Sequence, residues 1–246
     1  GRHSVGFAGR SLAEDLPGLL GLLAEALRQP VFPPEQVERL RGQMVTALKI
    51  HEQDTEYVAS RLFREIVYRD GHPYSRPIDG RVETISAFSR EQLIQFYGRH
   101  YGPRRMAVVI VGAVQAETAF HLVEDYLGDW ENLAQPESPA LPPVPVLTGI
   151  ERREAVLPGK SQADIVLGVS GPARLAADWV AANLANHILG VFGMYGRIGA
   201  RVREQLGMAY YSYSRLDGGL GPGPWRVVAG VNPANVEQAV NVIRGE

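Results

Sequence analysis

Gly193-Met194-Tyr195-Gly196-Arg197-Ile198-Gly199-Ala200-Arg201-Val202-Arg203-Glu204-Gln205-Leu206-Gly207-Met208-Ala209-Tyr210 is the most specific stretch of the chain. Together with Gly190, its glycines Gly193, Gly196 and Gly199 permit a tight turn and close backbone approach before a helix. A phosphate-loop reading fails on spacing, since the pattern is not G-x-G-x-x-G and no Lys-Ser pair follows. A helix is predicted from about Ile198 to Gln205, and Ala209 to Leu216 then reads as a strand.

Working outward, Trp225 to Val231 reads as the antiparallel partner of that strand, across Asp217-Gly218-Gly219. A last helix starts near Pro233. Upstream, Ala176 to Leu189 is helical in pattern, and Arg152 to Leu157 and Ala163 to Val169 are strand candidates joined through Pro158-Gly159-Lys160. Before these, five of the ten residues from Pro136 to Pro145 are proline. Proline lacks the N–H and fixes φ, so this stretch joins neither a helix interior nor a sheet ladder and reads as a semi-rigid surface linker.

The segment before the linker opens with an extended piece, Ser4 to Gly9. A helix follows, with Ser11 and Glu14 spaced as a capping box, Asp15 as the alternative cap, and Leu16, Leu19, Leu20, Leu23 and Leu27 on one face. Pro30, Pro33 and Pro34 stop it and start a second helix with Val37, Leu40, Met44 and Leu48 as its buried stripe. A third helix covers about Glu56 to Tyr68, and Ser89 with Gln92 caps another before Leu93, Phe96 and Tyr97. Met106 to Val111 is a continuous apolar run closed by Gly112, the pattern of an interior strand, and Thr118 to Leu127 is an amphipathic helix. The fold class is α+β: two related α/β layered domains, each an antiparallel or mixed sheet backed by helices. The first spans 1–134, the linker 135–148 and the second 149–246, both read as truncated, because the chain opens without an initiator methionine and stops inside a helix.

Composition narrows the chemistry. Over 246 residues the chain is 45% hydrophobic and 21% charged, with a net charge of -2. It is an ordinary soluble composition, with no global basic bias toward nucleic acid or an anionic membrane. There is no cysteine, which excludes disulfides, thiolate zinc sites and cysteine nucleophiles. Neither a membrane span nor the apolar stretch of a signal peptide is visible, and the compartment is left open. The histidines are His3, His51, His72, His100, His121 and His187; none has another four residues on, so neither H-E-x-x-H nor H-x-x-E-H is present. His121 to Asp125 is the nearest imitation and reads as a solvated polar face, as does His51 with Asp54. His187 reads as a core or groove histidine.

The stretch from Gly193 to Tyr210 resembles the segment of the pitrilysin/insulinase (inverzincin) family of zinc metallopeptidases in which a Gly-rich turn enters a helix, followed by Arg-Glu, Gly and Ala-Tyr. Three further places agree in order: Pro30 to Arg41; His72-Pro73-Tyr74-Ser75 with Ile78, Gly80, Phe88 and Ser89; and Met106 to Gly112. The resemblance implies a clamshell whose halves enclose a peptide, one half bearing the zinc motif and a glutamate ligand from a later helix. That glutamate falls near Val45, Thr46 or Ala47, none of which is a carboxylate. The resemblance therefore implies a substrate-binding, non-catalytic half, inactive alone, with no metal or cofactor of its own and zinc in the complete enzyme. Its partners are a peptide substrate and a catalytic half bearing HxxEH, on the same chain or in a heterodimer; no nucleic acid and no membrane span are expected. An arginine and a tyrosine seven residues apart reach the peptide in the family, and Arg203 and Tyr210 occupy that spacing, with Arg201 as the other candidate arginine. The alternatives are a non-proteolytic relative such as a respiratory-complex core subunit, or an unrelated α+β binding domain.

Overall fold

The computed structural model describes residues 1–69, 71–192 and 196–246. Its helices are α1 (Leu16–Arg28), α2 (Pro34–His51), α3 (Thr55–Tyr68), α4 (Val82–Ala87), α5 (Arg90–His100), α6 (Ala116–Leu127), α7 (Trp179–Gly190) and α8 (Val236–Gly245). The strands are β1 (Ala163–Ser170), β2 (Ala209–Leu216) and β3 (Pro224–Val231), and a π-helical turn covers Gly199–Gln205. The class is α+β. The chain forms two compact units, one of residues 1, 3–44 and 83–139, the other of residues 2, 45–82 and 140–246. By packing, then, residues 45–82 go with 140–246 although they precede the proline-rich stretch.

The first unit is helical. α1 packs on α6, burying Leu20, Ala24 and Leu127. Arg28 ties the pair down, donating to the Tyr126 carbonyl at 2.9 Å and with both Nη atoms to Asp129 at 2.7 and 3.0 Å. α1 begins at Leu16 with Asp15 in the cap position and no side-chain cap bond; Ser11 Oγ turns to its neighbour's carbonyl, so the Ser11–Glu14 box does not form. The Ser89–Gln92 box does form, with both reciprocal bonds. Met106 to Val111 is not the interior strand its sequence suggests: the run joins no sheet, with Val109 and Val111 more than four-fifths exposed. A strand takes its hydrogen bonds from neighbours, and the described residues of this unit contain no other strand.

The second unit carries the sheet, in the antiparallel order β1-β3-β2. β3 lies between its partners, so both its edges are hydrogen-bonded, and layers packed on its two faces bury it. On one side Val227, Ala229 and Val231 pack against Ile198 and Val202 of the π-turn and Ala239 and Ile243 of α8. On the other lies α3, capped by Asp54, whose carboxylate accepts from Tyr57 N at 2.7 Å. Its Phe63, Val67 and Tyr68 form a second cluster with Tyr74 and Val166. Leu141, Val144 and Leu147 pack against that cluster, so the proline-rich stretch is docked there rather than running free over a surface. Arg152 to Leu157, expected as a strand, joins no sheet, and Arg152 to Val156 are exposed.

Candidate functional site

Arg203 and Tyr210 sit on consecutive elements of the second unit. Ile198 and Val202, both fully buried, anchor the π-turn that carries Arg203. Gly190 and Gly196 let the backbone pass closely just before it, since a Cβ on Gly196 would lie 2.4 Å from the Gly190 Cα. Gly193 of the same glycine-rich run, with Met194 and Tyr195, lies outside the described residues. The turn is closed by Gly207 N and Met208 N, which donate to the Arg203 and Val202 carbonyls at 3.0 Å each. Gly207 adopts φ +60°, the left-handed conformation glycine takes at little cost.

β2 begins at once, and its first step is irregular. Ala209 stands opposite Val231 and Tyr211 opposite Gly230, so Tyr210 is the extra residue of a bulge. Ala209 consequently faces the core on the π-turn side, Tyr211 faces α3, and Tyr210 is 86% exposed. The Arg203 side chain is largely covered and pairs with Glu204 at 2.7 Å. Arg201 is exposed and donates to Gln205 at 2.6 Å. The segment thus carries an exposed phenol and, seven residues before it on a firmly seated turn, a largely covered guanidinium, both hydrogen-bond donors at neutral pH.

Tyr211 and Tyr213, on the α3 side, build a network absent from the sequence reading. Asp164 of β1 accepts from Tyr211, Thr55 and Gln162, and Tyr213 donates to Glu56 at 2.6 Å. Burial, reinforced by these acidic partners, raises both phenol pKa values, that of Tyr213 to about 12. His72 is another buried polar group: its Nδ1 accepts from Tyr74 N at 3.0 Å, so the proton sits on Nε2, which donates to the Pro142 carbonyl at 3.1 Å. His187, expected in a core or groove, is on the exposed face of α7, its Nδ1 2.8 Å from the Asn183 carbonyl.

Among the described residues, no group of three or more histidine, aspartate or glutamate side chains is placed to hold a metal ion. His51 and Asp54 line a pocket of about 450 Å³ with Tyr57, Ser60, Arg61 and Arg64, but Asp54 is committed to its helix cap. Residues Val45 to Ala47, on α2, offer no carboxylate. No helix among the described residues is long and apolar enough to cross a membrane.

Residues 87–246 match the family described as Peptidase M16 inactive domain. The chain belongs to the M16 peptidase family. It is 28% identical over 245 residues to a protein named as an uncharacterized zinc protease of Streptomyces coelicolor, covering 96% of this chain and 52% of that one. It is 24% identical over 192 residues to the mitochondrial cytochrome b-c1 complex subunit 1 of Rattus norvegicus, covering 77% of this chain and 39% of that subunit. The crystal structure of a peptidase M16 inactive domain from Pseudomonas fluorescens superimposes with a TM-score of 0.79 at 24% identity, over 96% of this chain and 56% of that one. The chain thus spans about half the length of such M16 relatives. The pitrilysin/insulinase resemblance and the non-catalytic character drawn from Val45 to Ala47 agree with these matches.

Proposed function

We propose that this M16 chain is the substrate-facing half of a zinc peptidase, and that Arg203 and Tyr210 hold the bound peptide. The observation that carries the reading is the bulge at Tyr210. A large aromatic side chain at a regular strand position would lie on one sheet face or the other; here one extra residue turns it into solvent. Its hydroxyl and the Arg203 guanidinium are suited to donate to the scissile carbonyl and to the negative charge that develops on it. The relatives' names imply zinc, for which no ligand set is placed among the described residues, and the part we assign to this chain is binding and orientation. The catalytic half bearing HxxEH is supplied by the same polypeptide or by a partner chain.

A second reading is a structural subunit without proteolysis, which the match to cytochrome b-c1 complex subunit 1 favours. An unrelated α+β binding domain drops out with family membership. Kinetics separate the remaining two. In the complete enzyme, Tyr210→Phe and Arg203→Ala should each lower kcat by about a hundredfold while changing KM little, because both act on charge that forms in the transition state. Arg201→Ala should be much milder, since two residues along the turn point it to another side. Steady-state rates on a fluorogenic peptide, with circular dichroism as the folding control, decide the matter. Unchanged kcat in Tyr210→Phe would favour the structural subunit.

A further inference from the structure

On the α3 side of the sheet, Arg226 of β3 is 6% exposed, and its Nε and Nη1 are buried without a hydrogen-bond partner. The nearest carboxylate, Asp217, stands 3.9 Å from Nη2 and is already engaged by Arg215. Arg215 is the residue directly opposite Arg226 on β2, so the two guanidinium stems leave the same face of the sheet. Arg64 lies two helical turns beyond Glu56 on α3, between the bond Glu56 receives from Tyr213 and the one Tyr68 donates to the Pro222 carbonyl. Those two bonds run α3 along β3 toward Arg226. Arg2 completes the group, its guanidinium over the Tyr74 ring and donating to the carbonyls of Pro73 and Arg76. Burial, and then the charges of Arg226 and Arg2, hold the Arg64 pKa below the usual guanidinium value.

Arg226 and Arg215 share the Asp217 carboxylate, Glu56 and Asp164 on the same face are engaged by tyrosine hydroxyls, and Arg64 and Arg2 bring two further guanidinium groups. A buried guanidinium with orphaned N–H groups is costly, and further cations around it make it costlier. Native proteins satisfy such groups, so their persistence here points to an acceptor that binds between them. We propose that Arg226, Arg64 and Arg2 form an internal site for a small phosphate-type oxyanion. The oxygens of such an anion can accept from several guanidinium groups at once. Arg64 also lines the 450 Å³ pocket. Asp54 and Glu56 share that pocket but are engaged by Tyr57 N and Tyr213. Asp79 is its remaining carboxylate.

The test is thermal melting of the complete protein in inorganic phosphate and in chloride at matched ionic strength, with acetate as a third arm. Phosphate should raise the wild-type Tm by roughly 2–4 °C over chloride, as a ligand that binds only the folded state does. Arg64→Gln should erase that increment while melting in chloride no lower than wild type, because it relieves repulsion. Arg226→Met should erase it too; if that variant does not fold, Arg64→Gln decides alone. The proposal fails if phosphate and chloride give the same wild-type Tm, or if both variants keep the increment, which would mean an adventitious ion only. It also fails if acetate matches phosphate, or if Arg64→Gln lowers Tm equally in every anion.

Discussion

The two faces of one three-stranded sheet are built on opposite principles. On the π-turn and α8 side, β3 contributes Val227, Ala229 and Val231, and the side chains they meet are Ile198, Val202, Ala239 and Ile243. On the α3 side the same strand contributes Arg226, Val228 and Gly230, flanked by Tyr211, Tyr213, Arg215 and Asp164. Both faces are covered, so the difference is not one of core against surface. The apolar face is stabilised by area and close packing, which involve no titrating group. The polar face depends on each donor having its acceptor, and it is where charge and proton linkage enter. The bulge at Tyr210 lies at the start of β2, which contributes Ala209 to one face and Tyr211 to the other.

The sharpest way to break the comparison is to cut into the apolar face. Ile198 is fully buried and has neighbours on the sheet and on α8. Ile198→Ala removes three carbons from a site that cannot fully collapse, and should cost roughly 2–5 kcal/mol. Urea unfolding should show the midpoint fall with an unchanged slope at every pH between 6 and 9. A loss that varied with pH in that range would mean that the two faces are not energetically separate.

Much of the apolar face was legible in the sequence, because alternation and apolar runs report burial directly. β1, β2 and β3 fall within a residue of where the pattern places them. The same signal misled at Met106 to Val111, where the run is apolar but no neighbour supplies the ladder. The Ser89 cap was legible because both its bonds are local, whereas Ser11 had the right spacing and its helix starts five residues later, after Asp15. The polar face was not legible. Asp164 and Tyr211, or Glu56 and Tyr213, are far apart in the chain, and nothing in either neighbourhood announces the other. The Arg203–Tyr210 spacing was reached through resemblance. The bulge that exposes Tyr210 escaped the sequence reading, since one inserted residue shifts the period-two pattern without erasing it.

A smaller effect sharpens the polar side. Tyr213→Phe deletes the donor to Glu56 and keeps the ring. A hydrogen bond to a charged group is worth roughly 1.5–3 kcal/mol, and in this half-covered network the low end, about 1.5 kcal/mol, is expected. Its signature is the pH dependence. The folded-state pKa of Tyr213 is raised from 10.0 to about 12 and that of Tyr211 is raised also. Above pH 10 the unfolded chain releases these protons first, so their contribution is complete below pH 10 and is lost as pH rises through the folded values. Wild-type urea midpoints should therefore fall between pH 10 and 12, and Tyr213→Phe should fall less steeply over the same window. Parallel profiles would mean that Tyr213 does not titrate differently in the two states.

The smallest expected effect lies where the two faces meet. Gly207 has φ +60°, and no atom lies within 4 Å of where a Cβ would stand, so a side chain there meets conformational strain but no clash. Gly207→Ala should cost about 1 kcal/mol, the penalty of a left-handed residue with a Cβ. Gly207→Asn should cost less, since asparagine tolerates that region better. The functional consequence discriminates more than the stability does. Gly207 joins the turn bearing Arg203 to the bulge bearing Tyr210, and its N–H is one of the two bonds that close the connection. If those residues hold the peptide together, a shift of the turn should lower kcat in the complete enzyme by more than a loss of stability of about 1 kcal/mol explains, with Asn recovering most of it. Urea melts and fluorogenic-peptide kinetics on the same preparations measure both. If kcat is unchanged while the midpoint falls as expected, the turn is needed for folding alone, and the spacing between Arg203 and Tyr210 carries no catalytic requirement.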